Sequence, residues 1–213
     1  MHIQYMYIHV NYVSLLHQIK PVKTKKLYTM KTKWTIDTMH SSVNFKIRHL
    51  VISNVSGTFG KYSAEVETDG DNFETAKVHF TADVNSINTG VEQRDGHLKS
   101  ADFFDTAAYP TIDFVSTSFK KVSGNEYKLK GNLTMRGVTQ PVELDVEFGG
   151  TGKDGYGNLK AGFEVTGKIN RKDFGLTWNM ATEAGGLTLG DDVKLSANVQ
   201  FAKVVPVEEL AKA

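Results

Sequence analysis

From Trp34 onward the chain alternates apolar and polar residues with a period of two, and no other feature of the sequence restricts its fold so tightly. Successive side chains of an extended chain point to opposite faces, so this alternation describes strands with one dry and one wet face. Val43, Phe45 and Ile47 alternate with Asn44, Lys46 and Arg48. Val78, Phe80, Ala82 and Val84 alternate with Lys77, His79, Thr81 and Asp83. The same pattern runs through Val142, Leu144, Val146 and Phe148, through Ala161, Phe163, Val165 and Ile169, and through Val193, Leu195, Ala197, Val199 and Phe201. Weaker strands are read near 57–67, 111–119 and 127–133, set apart by turn signals such as Asp69-Gly70-Asp71-Asn72 and Ser123-Gly124-Asn125. The total is about eight strands.

Strands of this kind bury their apolar faces between two sheets or inside a closed barrel. Eight strands suit closure, which removes exposed edges and leaves room for one ligand. The expected fold is therefore all-β, a single antiparallel eight-stranded barrel over 31–205. Residues 1–30 are read as an N-terminal extension outside the ordered product and 206–213 as a C-terminal tail. Between Asn88 and Pro110 the alternation stops. There Thr89 and Glu92 have the spacing of a capping box, ahead of Leu98, Ala101 and Phe104 at helical spacing. A short helix-bearing loop is expected, acting as a lid or plug at one mouth.

The 25 basic and 24 acidic residues nearly cancel, which removes the one-signed field that nucleic-acid binding needs. With no cysteine there is no disulfide, thiol nucleophile or thiolate metal site. Seven histidines lack ligand spacing, so no metal is expected; His79 falls on the wet face, and His40 and His49 flank a strand whose ends they would tie by hydrogen bonds. Gly150-x-Gly152-x-x-Gly155 matches a dinucleotide fingerprint in letters, but it joins two alternating strands and reads as a hairpin turn. Ser41 and Ser42 beside His40, and the carboxylates Asp95, Asp102 and Asp105, are the catalytic candidates. Neither set has the context of a nucleophile elbow or a flanking acid pair. No basic n-region precedes the apolar stretch before Thr29, which favours a cytoplasmic location, and no unbroken apolar run is long enough for stable membrane insertion.

The run Trp34-x-Ile36-Asp37-x-x-His40-Ser41-x-Val43-x-Phe45 with His49, then Gly57-x-Phe59-Gly60, begins a series of motifs that continues downstream. It includes Arg94-Asp95-x-His97-Leu98-Lys99-Ser100-x-Asp102-Phe103-Phe104-Asp105, Tyr109-Pro110, Gly131-x-Leu133-Thr134-x-Arg136-Gly137, Arg171-x-Asp173-Phe174-Gly175 and Gly190-Asp191-x-Val193. In this order the segments resemble the polyisoprenoid-binding YceI-like family of bacterial, lipocalin-like barrels. The resemblance implies an apolar cavity holding an isoprenoid lipid, such as a prenyl diphosphate or an isoprenoid quinone, with no cofactor and no catalysis. It also implies a periplasmic location as the alternative to a cytoplasmic one.

The energetics agree with such a ligand, because each buried methylene contributes roughly 0.8 kcal/mol and a few isoprene units offset the cost of immobilisation. The inward residues expected to bind it are Phe45, Ile47, Phe80, Val84, Phe114 and Leu133, followed by Leu144, Val146, Phe163, Val165 and Leu195. Phe103 and Phe104 are expected at the mouth. Small inward residues, Ala82, Ala161, Gly167 and Ala197, are expected to leave room. Arg94, His97 and Lys99 are head-group candidates, and the other reading of that cluster is a local ion-pair network with Asp95 or Asp102. Arg136 and Arg171 carry the same ambiguity. Binding, carriage or sequestration is the first reading, an enzyme acting on an isoprenoid or quinone inside the barrel is the second, and a homodimer stays open.

Overall fold

In a computed structural model residues 30–181 and 187–205 are described; the expectations for 1–29 and for the tail 206–213 lie outside them. The strand segments are β1 (Lys31–Ile36), β2 (Ser42–His49), β3 (Ser53–Phe59), β4 (Tyr62–Asp69), β5 (Asn72–Asp83) and β6 (Ile87–Asn88). After the helix α1 (Glu92–Lys99) come β7 (Thr111–Ser123), β8 (Glu126–Met135), β9 (Val138–Lys153), β10 (Leu159–Asn170) and β11 (Leu189–Lys203). Every pairing is antiparallel, in the order β1-β4-β5-β7-β8-β9-β10-β11-β2-β3-β6, and β1 also pairs with β11.

These segments make an eight-stranded barrel because three of its strands are interrupted. Along one edge of β11, Phe201–Lys203 pair with β1 while Leu189–Asn198 pair with β2, so β1 and β2 are two halves of the first strand and close the barrel. Likewise β4 pairs with β1 and β3 with β2, while β5 pairs with β4 and β6 with β3.

The break between β1 and β2 is pinned by side chains. Asp37 Oδ1 accepts from the Met39 N–H, and Asp37 Oδ2 receives Lys160 Nζ at 2.9 Å with His40 Nδ1 at 3.1 Å. The Ser41 hydroxyl donates to the Asp37 carbonyl and accepts the Gln200 N–H at 3.0 Å. The Lys160 ammonium, above all, holds the Asp37 carboxyl down at about 2. Opposite, the break at Gly60 locks onto the 3₁₀ turn Val84–Ser86 through Gly60 N–H to the Ser86 carbonyl and Lys61 N–H to Ser86 Oγ.

One end of the barrel is plugged by aromatic rings. Trp34, fully buried, donates from Nε1 to the buried Thr68 hydroxyl at 3.1 Å. Phe73 lies 4.9 Å from the Trp34 ring, 5.4 Å from Phe148 and 5.2 Å from Phe163. Three hairpins, at Asp69–Asn72, Ser123–Glu126 and Lys153–Leu159, cap this end, and the glycine series around Gly152 belongs to the last of them.

The loop after β6 differs from the expectation in two ways. Thr89 is not the helix cap: Val91 precedes α1 without a side-chain cap bond, and Thr89 instead donates to Asp95 Oδ1 and accepts from Arg94 Nε. The helix stops at Lys99, so Ala101 and Phe104 lie in the following turns.

Candidate binding cavity

Inside the barrel, beyond the aromatic plug, lies a cavity of about 510 Å³. Its size falls within the usual range for small-molecule sites, roughly 300 to 1,000 Å³. The void lies toward one wall. Inward side chains of β4, β7 and β8, such as Val66, Phe114, Leu129 and Leu133, are buried, whereas Val43, Phe45, Ile47, Val165, Leu195 and Ala197 on β2, β10 and β11 are only half-buried although they line the interior. A close-packed core would cover them.

All the inward residues expected to bind ligand line this cavity except Val84, and Phe103 and Phe104 line it as well. Val84 sits in the 3₁₀ turn, fully buried in the core, because the strand alternation ends one residue earlier. Among the small residues, Ala82 and Ala197 line the cavity. Ala161 instead faces Phe201 at the plugged end, and the space beside Gly167 is filled by Leu144, whose Cδ2 would clash with an added Cβ. Gly57 and Gly131 serve Phe45 and Phe114 in the same way, letting each ring occupy the space that a Cβ on the neighbouring strand would fill.

At the other end α1 and its turns cover the mouth. His97 packs edge-on against Phe103 and Trp178, at 5.0 and 4.8 Å, and its Nε2 lies 3.0 Å from Asp102 Oδ2. Arg94 lines the cavity while its guanidinium donates to the Thr89 hydroxyl and carbonyl. Neither Arg94 nor Lys99 pairs with a carboxylate among the described residues, and the expected network is reduced to His97 and Asp102.

Lys99 and Arg136 do not line the cavity. Arg136 ties the mouth together by donating to the Gly175 and Ala101 carbonyls. Arg171 is the buried lock of the crossing segment before β11, donating to the carbonyls of Gly190, Leu176 and Trp178. Its Nη2 lies 3.6 Å from Asp191 Oδ1, too long for a hydrogen bond, so that carboxylate acts through charge. Burial pushes the guanidinium below its usual pKa and Asp191 opposes this, so it stays protonated.

The ionisable side chains that line the cavity are His49, Arg94, His97 and Arg171, among the described residues. Asp102 and Asp105 are outside the lining, Asp95 is held by Thr89, and the Ser41 hydroxyl is committed to backbone. His40 is part of the strand-break latch, as its flanking position suggests, and His79 is exposed on the outer face. His49 does not tie a strand end by a side-chain hydrogen bond among the described residues, as its flanking position suggested, but lines the mouth; Leu176, Trp178 and Leu189 line it as well, Leu176 and Trp178 on irregular backbone where alternation carries no signal.

A family model described as a YceI-like domain matches residues 34–201. A UPF0312 protein of Staphylococcus aureus (strain MSSA476) is 43% identical over 172 residues, covering 80% of this chain and 98% of its own. The crystal structure of a Campylobacter jejuni YCEI protein superposes with a TM-score of 0.65 at 37% identity, covering 75% of this chain and 91% of that one. A polyisoprenoid binding domain from Saccharophagus degradans has the same fold, with a TM-score of 0.56 at 19% identity over 79% of this chain and 97% of its own.

Proposed function

The chain belongs to the YceI-like family, and from that premise we propose that its barrel takes up the hydrocarbon tail of an isoprenoid lipid and holds it without chemical change. One observation carries the reading: a cavity of about 510 Å³ lined almost wholly by apolar side chains that keep free surface inside a closed barrel. Burial of roughly 0.8 kcal/mol per methylene makes an apolar tail the ligand such a lining favours. The name of the Saccharophagus domain points the same way. Among the described residues the lining holds no carboxylate or lysine, and its hydroxyls are Ser196 and Thr188, the latter donating to the Met180 carbonyl, so the composition favours binding over catalysis. In this reading the polar end of the lipid, a diphosphate or a quinone ring, sits at the mouth beside Arg94 and His97.

Trp178 supplies the test, since it lines the mouth while Trp34 is buried in the plug. Titration with a short-tailed ubiquinone is expected to quench tryptophan fluorescence saturably in the unmodified protein and to lose most of that signal in Trp178→Phe. Linear, non-saturating quenching in both proteins would remove the support for a quinone-type ligand and, if retinol also fails to bind, for the lipid reading as a whole.

A further inference from the structure

The turn between β2 and β3 presents Leu50, Val51 and Ile52 to solvent, with 41%, 73% and 83% of their surface exposed. Leu50 and Val51 hold φ of 50° and 65°. For a β-branched residue that is a left-handed conformation with a real steric cost, and such strain persists where the surroundings enforce it. Asparagine or glycine would relieve it, and either would also be more soluble at a turn tip. The chain instead places there the most exposed aliphatic run among the described residues.

The tip is continuous with the cavity mouth. His49, the residue before Leu50, lines the cavity; the Leu50 N–H donates to the Thr188 carbonyl at 2.8 Å; and Thr188 and Leu189 are themselves lining residues. Met180 and Leu187, both exposed, flank the same segment. The hairpin tips of the plugged end carry the polar residues Asp71, Asn72, Asn125, Glu126 and Asp154, although single apolar residues, Met30, Val122, Tyr156, Val204 and Val205, are exposed at that end as well.

Charge adds a direction. Lys46 pairs across to Lys194, which pairs to Lys168, so three lysines run side by side on the outer faces of β2, β11 and β10. Like charges set opposite one another cost stability. Arg48 lies two residues from the tip, roughly 7 Å along the strand. Among the described residues Lys46, Arg48 and Lys194 make no ion pair, whereas Lys168 is paired to Asp192.

We propose that this tip docks the mouth of the barrel onto the surface of a lipid bilayer, with Val51 and Ile52 entering the acyl boundary and Arg48 and Lys46 facing anionic head groups. The proposal rests on the lipid-binding reading, because a bilayer is where a long apolar ligand resides and docking lets it enter the cavity without crossing water. Exposed aliphatic residues beside basic ones are the usual make-up of a peripheral lipid contact.

Co-sedimentation of the full chain with vesicles tests it. The protein is expected to bind phosphatidylcholine vesicles containing phosphatidylglycerol more tightly than pure phosphatidylcholine. Val51→Asn combined with Ile52→Asn should weaken that binding at least about tenfold, given the burial worth of two aliphatic side chains. Lys46→Gln combined with Arg48→Gln should abolish the preference for phosphatidylglycerol. The tip variant should melt at or above the temperature of the unmodified protein, because asparagine tolerates positive φ, so its loss of binding would not be a folding defect. Unchanged co-sedimentation of the tip variant overturns the proposal, as does an unmodified protein that never sediments or whose tip instead mediates self-association in solution. Retinol uptake from ethanol, measured on the same proteins, separates the two readings: it should survive the tip substitutions, and its absence from the unmodified protein would count against the cavity alone.

Discussion

Ala197→Phe separates an open cavity from a packed core. Ala197 lies midway along β11, opposite Val43 on β2 and Val165 on β10, and all three line the interior. In a solid core the added ring would be overpacked, costing roughly 1 to 3 kcal/mol. For a domain of this size that lowers Tm by roughly 2 to 12 °C. In the observed cavity the ring enters free space, and removing it from water gains about 2 kcal/mol against a side-chain entropy cost of under about 1 kcal/mol. The apo protein should therefore melt at or slightly above the unmodified temperature. Its ligand, however, loses the room for one isoprene unit, five carbons at roughly 0.8 kcal/mol each or about 4 kcal/mol in all. That corresponds to an affinity about three orders of magnitude weaker. Thermal melting together with a retinol titration reads both quantities on one sample. A Tm lowered by several degrees with unchanged retinol affinity would refute the placement of the void along β2, β10 and β11.

Three further outcomes follow from individual side chains. Arg171→Ala orphans the buried Leu176 carbonyl and the part-buried carbonyls of Trp178 and Gly190, and should cost about 3 kcal/mol or more in urea unfolding. The Asp37 carboxyl is depressed to about 2 from 3.8, so its contribution to stability is complete above the unfolded pKa and is lost as pH falls through that interval; melting measured across it should show a step that shrinks in Lys160→Met. Replacing Arg94, His97 and Lys99 together by glutamine should weaken farnesyl diphosphate more than farnesol in competition with retinol, whereas equal losses would mean that these residues only shape the loop.

The barrel was legible because alternation is a local signal: in β2, β9, β10 and β11 each inward position is announced by its own polar neighbours. The interruptions were not. The β1–β2 break depends on Lys160 reaching Asp37 from 123 positions away, and nothing in the run around Asp37 announces that partner. Val84 continues the alternation in letters, yet the chain turns at Asp83, whose side chain accepts the Asn85 N–H. Thr89 and Glu92 have capping-box spacing, but the Thr89 hydroxyl is taken by Asp95 and Arg94, whose charges make stronger bonds to it than a backbone N–H of the helix end would. Gly167 shows why a small inward residue is an ambiguous sign: the space beside it belongs to Leu144 of the next strand, while the space beside Ala197 opens on the void. Arg136 and Arg171 have the composition of head-group ligands, and only the carbonyls they reach reveal them as fasteners of the mouth.

Native mass spectrometry of the protein purified without detergent, followed by organic extraction of the same sample, tests the lipid-filled barrel most directly. A bound species is expected whose extracted mass series steps by isoprenoid increments and which is absent from Ala197→Phe. Protein that is consistently empty, and that stays empty after incubation with farnesol, retinol and a short-tailed ubiquinone, would contradict it.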